Sequence, residues 1–208
     1  MYERLRTDKN KFRLLENVLS DFSIALLVCL FSFQAFAHPG HGIGNFSGGF
    51  FHPLTGIDHL LTAFAVGILA ISSDRGFDRR IPVGFMTAMI LGIFAGQAEF
   101  VLPFYEQGIA LSLGFIGICL FVGARLNSRR AVLLAACFGF IHGNAHGVEV
   151  GGTGFHLLTT LGLVLSTGGL VGLGVLVAVG MRRFLSDNGS IRVLRFFGAV
   201  LVGAAFGL

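Results

Sequence analysis

After residue 53 the chain reads as six apolar segments, roughly residues 54–72, 81–102, 108–125, 131–150, 154–181 and 191–207, and the connections between them alternate in charge. Each segment approaches the about 20 helical residues that cross the hydrocarbon core of a bilayer. The first, third and fifth connections carry Arg75, Arg79 and Arg80, then Arg125, Arg129 and Arg130, then Arg182, Arg183, Arg192 and Arg195. Those ten arginines are every Lys or Arg after residue 37, and the second and fourth connections hold none. Basic residues collect in the cytoplasmic loops of membrane proteins. The pattern therefore predicts an all-α polytopic membrane protein with six transmembrane helices and both mature termini in the periplasm. An apolar fraction of 54% with only 12% charged residues fits that class, and 31 glycines suit closely packed membrane helices. The net charge of +4 is accounted for by this loop asymmetry and does not call for nucleic acid.

Ahead of the segments, residues 1–21 are polar and of mixed charge, residues 22–36 are apolar, and Ala35-Phe36-Ala37 precedes His38. A basic start, a short apolar run and a small-x-small site form the pattern of a secretory signal. The expected organisation is a signal peptide over residues 1–37, with an uncleaved anchor as the alternative. A periplasmic His/Gly-rich leader over 38–53 and a six-helix domain over 54–208 complete it. Cys29, Cys119 and Cys137 show no CxxC spacing, so neither a disulfide framework nor a thiolate site is indicated.

The residues that bind metals are distributed unevenly. His142 and His146 stand four apart and Glu149 follows three later; at about 100° of rotation per helical residue the three share one stripe. Gly139, Gly143, Gly147 and Gly151 form an adjacent stripe that lets another helix come close. His52, Asp58 and His59 fall at the periplasmic start of the first segment, Gln97 and Glu99 at the end of the second, and His156 at the start of the fifth. With His38 and His41 in the leader, all seven histidines lie on the periplasmic side. Ionisable groups at membrane depth are costly and mark functional sites. Imidazoles mixed with carboxylates suit Ni²⁺, Co²⁺, Zn²⁺ or Cu²⁺ rather than Mg²⁺ or Ca²⁺. Taken singly, His52 or His156 reads as an interfacial helix-end residue. Asp58 alone reads as a helix cap, and Glu99 as a snorkelling carboxylate. The Asp58-His59 pair and the His142/His146/Glu149 stripe resist that treatment. The candidate ligands are therefore His52, Asp58, His59, His142, His146 and Glu149, with His38, His41, Glu99 and His156 as further candidates.

Two stretches also carry a family resemblance. His52-Pro53-Leu54-Thr55-Gly56-Ile57-Asp58-His59 resembles the HPxxGxDH motif of the HupE/UreJ family of nickel/cobalt membrane permeases, and residues 142–149, HGNAHGVE, resemble its HGxAHGxE motif. The resemblance implies a multi-pass permease of the bacterial inner membrane that recognises nickel or cobalt through those two motifs and carries no prosthetic group. No Walker-type loop is present and the only lysines are Lys9 and Lys11, which argues against an ATP-driven pump. An inward-negative potential supplies about 2.3 kcal/mol per charge per 100 mV, and about twice that for a divalent ion. Thr62, Thr87, Thr159, Thr160, Ser166 and Thr167 are candidates for a polar seam along which the ion passes. Two other classes compete. One is an intramembrane zinc hydrolase, although Gly143 and Asn144 stand where an HExxH motif needs other residues. The other is a metal-binding sensor or accessory protein that does not transport.

Overall fold

The computed structural model describes residues 45–71, 77–124, 126–150 and 156–207. The signal segment, His38, His41, Arg75, Arg125 and Gly151 lie outside the described residues. Every regular element among those described is an α-helix: α1 (Phe46–Thr55), α2 (Ile57–Leu69), α3 (Arg80–Gln97), α4 (Tyr105–Val122), α5 (Ser128–Val150), α6 (Leu157–Phe184) and α7 (Asp187–Phe206). The last five are long and apolar enough to cross a membrane. Their outward faces carry Val83, Leu91, Leu111, Ile118, Leu133, Leu165 and Leu173, all exposed, an apolar belt suited to lipid.

The first apolar segment is divided. Instead of one helix over 54–72, α1 starts at Phe46, inside the stretch read from sequence as a leader, and stops at Thr55. Asn45 Oδ1 caps its start by accepting from Gly48 N at 2.8 Å. Near its end Pro53 lacks an N–H donor, and the Thr55 hydroxyl and Gly56 N–H both donate to the His52 carbonyl, at 2.9 and 3.1 Å. Gly56 then takes an extended conformation, φ −81° and ψ 108°, before α2 resumes. A side chain at Gly56 would press on the His59 ring, with Cδ2 only 2.9 Å from the added carbon. At 1.5 Å per residue, α1 and α2 measure about 15 and 20 Å, so neither alone spans the about 30 Å of hydrocarbon.

Glycine determines how the helices pair. Ala131, Ala135, Gly139, Gly143 and Gly147 recur every four residues on α5, and Ile81, Phe85, Met89 and Ile93 do so on α3. Carbon atoms added at Gly139, Gly143 and Gly147 would collide with the carbonyls of Phe85, Met89 and Ile93. Conversely, additions at Gly92 and Gly96 would strike the α5 backbone around Asn144. The two helices thus run parallel with backbones in contact, as small residues spaced four apart allow. The same interlock seats α6 on α1 through Gly49 and Gly162 and on α2 through Gly67 and Gly174, while Gly117 and Gly198 join α4 to α7. At the centre, α2 is buried along most of its length, from Thr62 and Ala63 through Ala65 to Leu69. A helix enclosed on all sides can be apolar all round, and its N-terminal turn delivers Asp58 and His59 to one end of the bundle.

The opposite end is basic. Buried Asp78 accepts from Arg80 Nε at 2.9 Å and Nη2 at 2.7 Å, and also from the Ser128 hydroxyl at the start of α5. Arg182 near the end of α6 donates to the Ile71 carbonyl just past α2 at 2.5 Å. These contacts tie α2, α3, α5 and α6 together at the end away from the histidines.

A candidate metal centre between four helices

The break at Gly56 places His52 and His59 on either side of a helix interruption, and α5 brings His146 against both. One ring nitrogen from each of His52, His59 and His146 lies within 4.8 Å of the other two. The ring centroids of His59 and His146 are 4.2 Å apart, and those of His52 and His146 are 5.1 Å apart. His59 and His146 are 3% and 1% exposed, so an ion held there is largely removed from bulk water.

Two carboxylates border the trio. Glu149 Oε2 lies 2.8 Å from His52 Nε2 and 3.7 Å from His146 Nδ1. The contact to His146 follows from spacing, because residues i and i+3 are neighbours on one helix face. Asp58 Oδ1 accepts from His59 N at 2.8 Å, and its Oδ2 stands 4.0 Å from His59 Nε2. In the first turn of α2 that carboxylate opposes the positive end of the helix dipole, which would otherwise repel a cation. Three imidazoles and two carboxylates, with arginines gathered at the far end, are a donor set that could hold a divalent ion preferring N/O ligands.

His142 occupies a different position. Its Nδ1 lies 3.1 Å from His59 Nδ1, and its Nε2 lies 2.9 Å from Ser112 Oγ on α4. One imidazole removed from the trio, it lies behind His59. Glu99 is exposed in the turn after α3 with φ 64°. His156 precedes α6 and is not part of the clustered group. Sequence reasoning passed over two participants. Ser112 is one. Asn144 is the other: it is fully buried between the two motif histidines, with Nδ2 donating to Phe100 O at 2.6 Å and Oδ1 accepting from Leu102 N at 2.9 Å. It fastens the loop between α3 and α4 over this end of the bundle.

Of the seam residues, Thr62, Thr159, Thr160, Ser166 and Thr167 are buried, and Gln97 Nε2 donates to Thr160 Oγ1 at 2.9 Å. Among the described residues, the hydroxyls of Thr62, Ser166 and Thr167 have no hydrogen-bond partner. The register that seats Gly67 against Val171 puts Thr62, five residues back on α2, level with Ser166, five residues back on the parallel α6. Thr87 is exposed and lines an apolar groove of about 560 Å³ between α3 and α6.

The family model described as HupE / UreJ protein matches residues 26–208 of the chain. Protein HupE of Rhizobium leguminosarum bv. viciae is 30% identical over 117 residues, which cover 56% of this chain and 61% of that protein. The aligned region is thus less than two thirds of the relative's length. No solved structure matches the chain significantly.

Proposed function

From the premise that the chain belongs to the HupE/UreJ family, we propose that it is a secondary permease that takes up nickel or cobalt ions from the periplasm across the bacterial inner membrane. Members of that family are membrane permeases or accessory proteins and not enzymes, which sets the intramembrane hydrolase aside. The observation that carries the transport reading is the convergence of His52, His59 and His146 at a helix interruption. Transporters commonly bind their cargo where a membrane helix is broken. In this reading α1 and α2 together make the first of six spans, the arginine-rich end is cytoplasmic, and residues 1–37 are a signal peptide.

The imidazoles capture a partly dehydrated ion, and Glu149 and Asp58 offset its charge. The ion then leaves past Thr62, Ser166 and Thr167, whose buried hydroxyls offer oxygens between α2 and α6. The membrane potential drives a divalent ion inward by about 4.6 kcal/mol per 100 mV. The test is uptake of radioactive Ni²⁺ and Co²⁺ by cells producing the protein, beside His59→Ala and Asp58→Ala at equal membrane abundance. Loss of uptake in both supports the proposal, and unchanged uptake in either sinks it.

A further inference from the structure

Three hydroxyls on α2 and α6 are buried without a bond to satisfy them. Thr62 is 0% exposed, Ser166 and Thr167 are 4% each, and none has a hydrogen-bond partner among the described residues. A hydroxyl on a helix ordinarily bonds the carbonyl one turn back. Thr55 and Ser112 do so, donating to the carbonyls of His52 and Ile109 at 2.9 and 2.7 Å. Thr62, Ser166 and Thr167 forgo that local bond, so their hydroxyls are held away from their own backbones. A buried hydroxyl left unbonded is destabilising, and native interiors satisfy nearly all such groups with protein or with ordered water.

The three stand at one level. Gly67 seats against the Val171 carbonyl and Gly174 against the Phe64 carbonyl, which sets α2 and α6 parallel and in register. Thr62 and Ser166 each lie five residues before the contact of Gly67 with Val171, and Thr167 is the next residue on α6. Thr62 also follows His59 by three, so it shares that side of α2, about 4.5 Å along the axis toward the arginine-rich end. A hydroxyl offers one donor and two acceptor lone pairs but no charge. Neutral hydroxyls do not offset a bare divalent cation, and an apolar occupant would leave them unbonded. Water both donates and accepts, makes about three bonds in such places, and fits this donor set.

We propose that ordered water is bound inside the bundle on Thr62, Ser166 and Thr167, one turn inward of His59, and supplies the oxygens that replace the imidazoles as the cation leaves. The use assigned to the water rests on the permease reading; the binding of the water does not. In that exchange metal–imidazole bonds break as metal–water bonds form, and the charge of the ion does not change. Imidazole suits nickel and cobalt better than neutral oxygen does, so the ion is passed on at this level rather than retained.

The test is hydroxyl-radical footprinting of the full chain in lipid nanodiscs, by X-ray radiolysis in isotope-labelled water with mass spectrometry as the readout. Radicals formed from internal water mark the side chains beside it, and buried side chains with no water nearby stay unmarked. Leu163 and Leu170 flank Ser166 and Thr167 by one turn on α6 and are buried, while Leu120 on α4 and Leu201 on α7 are buried controls. Leu163 and Leu170 are expected to take up label several-fold faster than the controls. That excess disappears when Thr62→Val, Ser166→Ala and Thr167→Val are combined. Rates no higher than those of Leu120 and Leu201 would overturn the proposal, and an excess that survives the combined variant would overturn it equally. Should the combined variant fail to fold, the wild-type comparison decides alone. The footprint needs neither metal nor transport. Marked leucines in a protein that takes up no Ni²⁺ or Co²⁺ would refute the permease reading and the assigned use of the water, whereas unmarked leucines in a transporting protein would refute the water alone.

Discussion

Replacing Glu149 with Gln keeps the shape of the side chain and removes one negative charge from beside the imidazoles. Glu149 Oε2 stands 2.8 Å from His52 Nε2 and 3.7 Å from His146 Nδ1. An ion bonded to those nitrogens at about 2 Å lies within about 4 Å of the carboxylate. Unit charges at about 4 Å attract by about 1 kcal/mol in bulk water and about 4 kcal/mol at an effective dielectric of 20; for a divalent ion these become about 2 and about 8 kcal/mol. Burial of His59 and His146 moves the medium toward the second limit, and the 17% exposure of the Glu149 side chain moves it back. Even the lower limit, about 2 kcal/mol, corresponds to about a thirtyfold rise in Kd. The assay is calorimetric titration of the purified protein with Co²⁺ or Ni²⁺ at fixed ionic strength, with Asp58→Asn alongside. Asp58 is farther from the trio, with Oδ2 at 4.0 Å from His59 Nε2 and Oδ1 held by a backbone N–H, so its loss is the smaller of the two. A Kd for Glu149→Gln within about threefold of wild type would refute the electrostatic argument.

The scaffold and its ends give three further tests. In Gly143→Ala the added carbon would stand 2.7 Å from the Met89 carbonyl carbon, where ordinary contact begins at 3.4 Å, so α3 and α5 must part by at least about 0.7 Å. Overpacking of that kind costs about 1–3 kcal/mol, which lowers the thermal midpoint, whereas Gly169→Ala, with nothing within 4 Å, leaves it unchanged. Asn144→Ala removes both bonds to the loop after α3 and raises amide hydrogen exchange across residues 98–104 without removing a proposed ligand. Asp78→Ala strips Arg80 and Ser128 of a shared acceptor and costs about 2 kcal/mol. Because it lies at the opposite end from the histidines, Co²⁺ affinity stays at the wild-type value while the thermal midpoint falls.

The parts of this molecule governed by helical spacing were readable from sequence. His146 and Glu149 share a face of α5 because they stand three apart, and Gly139, Gly143 and Gly147 line up beside them as their spacing requires. What spacing cannot say is what each face meets. His142 and His146 lie on one stripe, yet His146 meets His52 and His59 while His142 meets Ser112, because α4 rather than α1 covers that part of α5. Residues 46–53 read as a leader because of their glycines. They are helical because Gly49 lets α1 approach the Thr159 backbone, a tertiary contact that local propensity does not contain. Pro53 and Gly56 lie at the interruption, and the His59 ring packs over Gly56, a contact that sequence alone does not contain. A serine in an apolar segment ordinarily bonds its own backbone. Ser112 does so through its proton, and only the packed structure reveals the imidazole on its oxygen. Arg80 counted in sequence only as a loop charge, and Asp78 went unread, since the bond between Asp78 and Ser128 joins residues fifty apart.

Transport itself is tested most directly by reconstituting the purified protein in sealed vesicles loaded with a metal-sensitive dye, with an inward-negative potential imposed by a potassium gradient and valinomycin. The account predicts entry of Ni²⁺ or Co²⁺ that grows with the potential and disappears in His59→Ala vesicles holding the same amount of protein. Metal bound stoichiometrically to the protein with no dye response at any potential would contradict it and leave a metal-binding accessory protein in place of a permease.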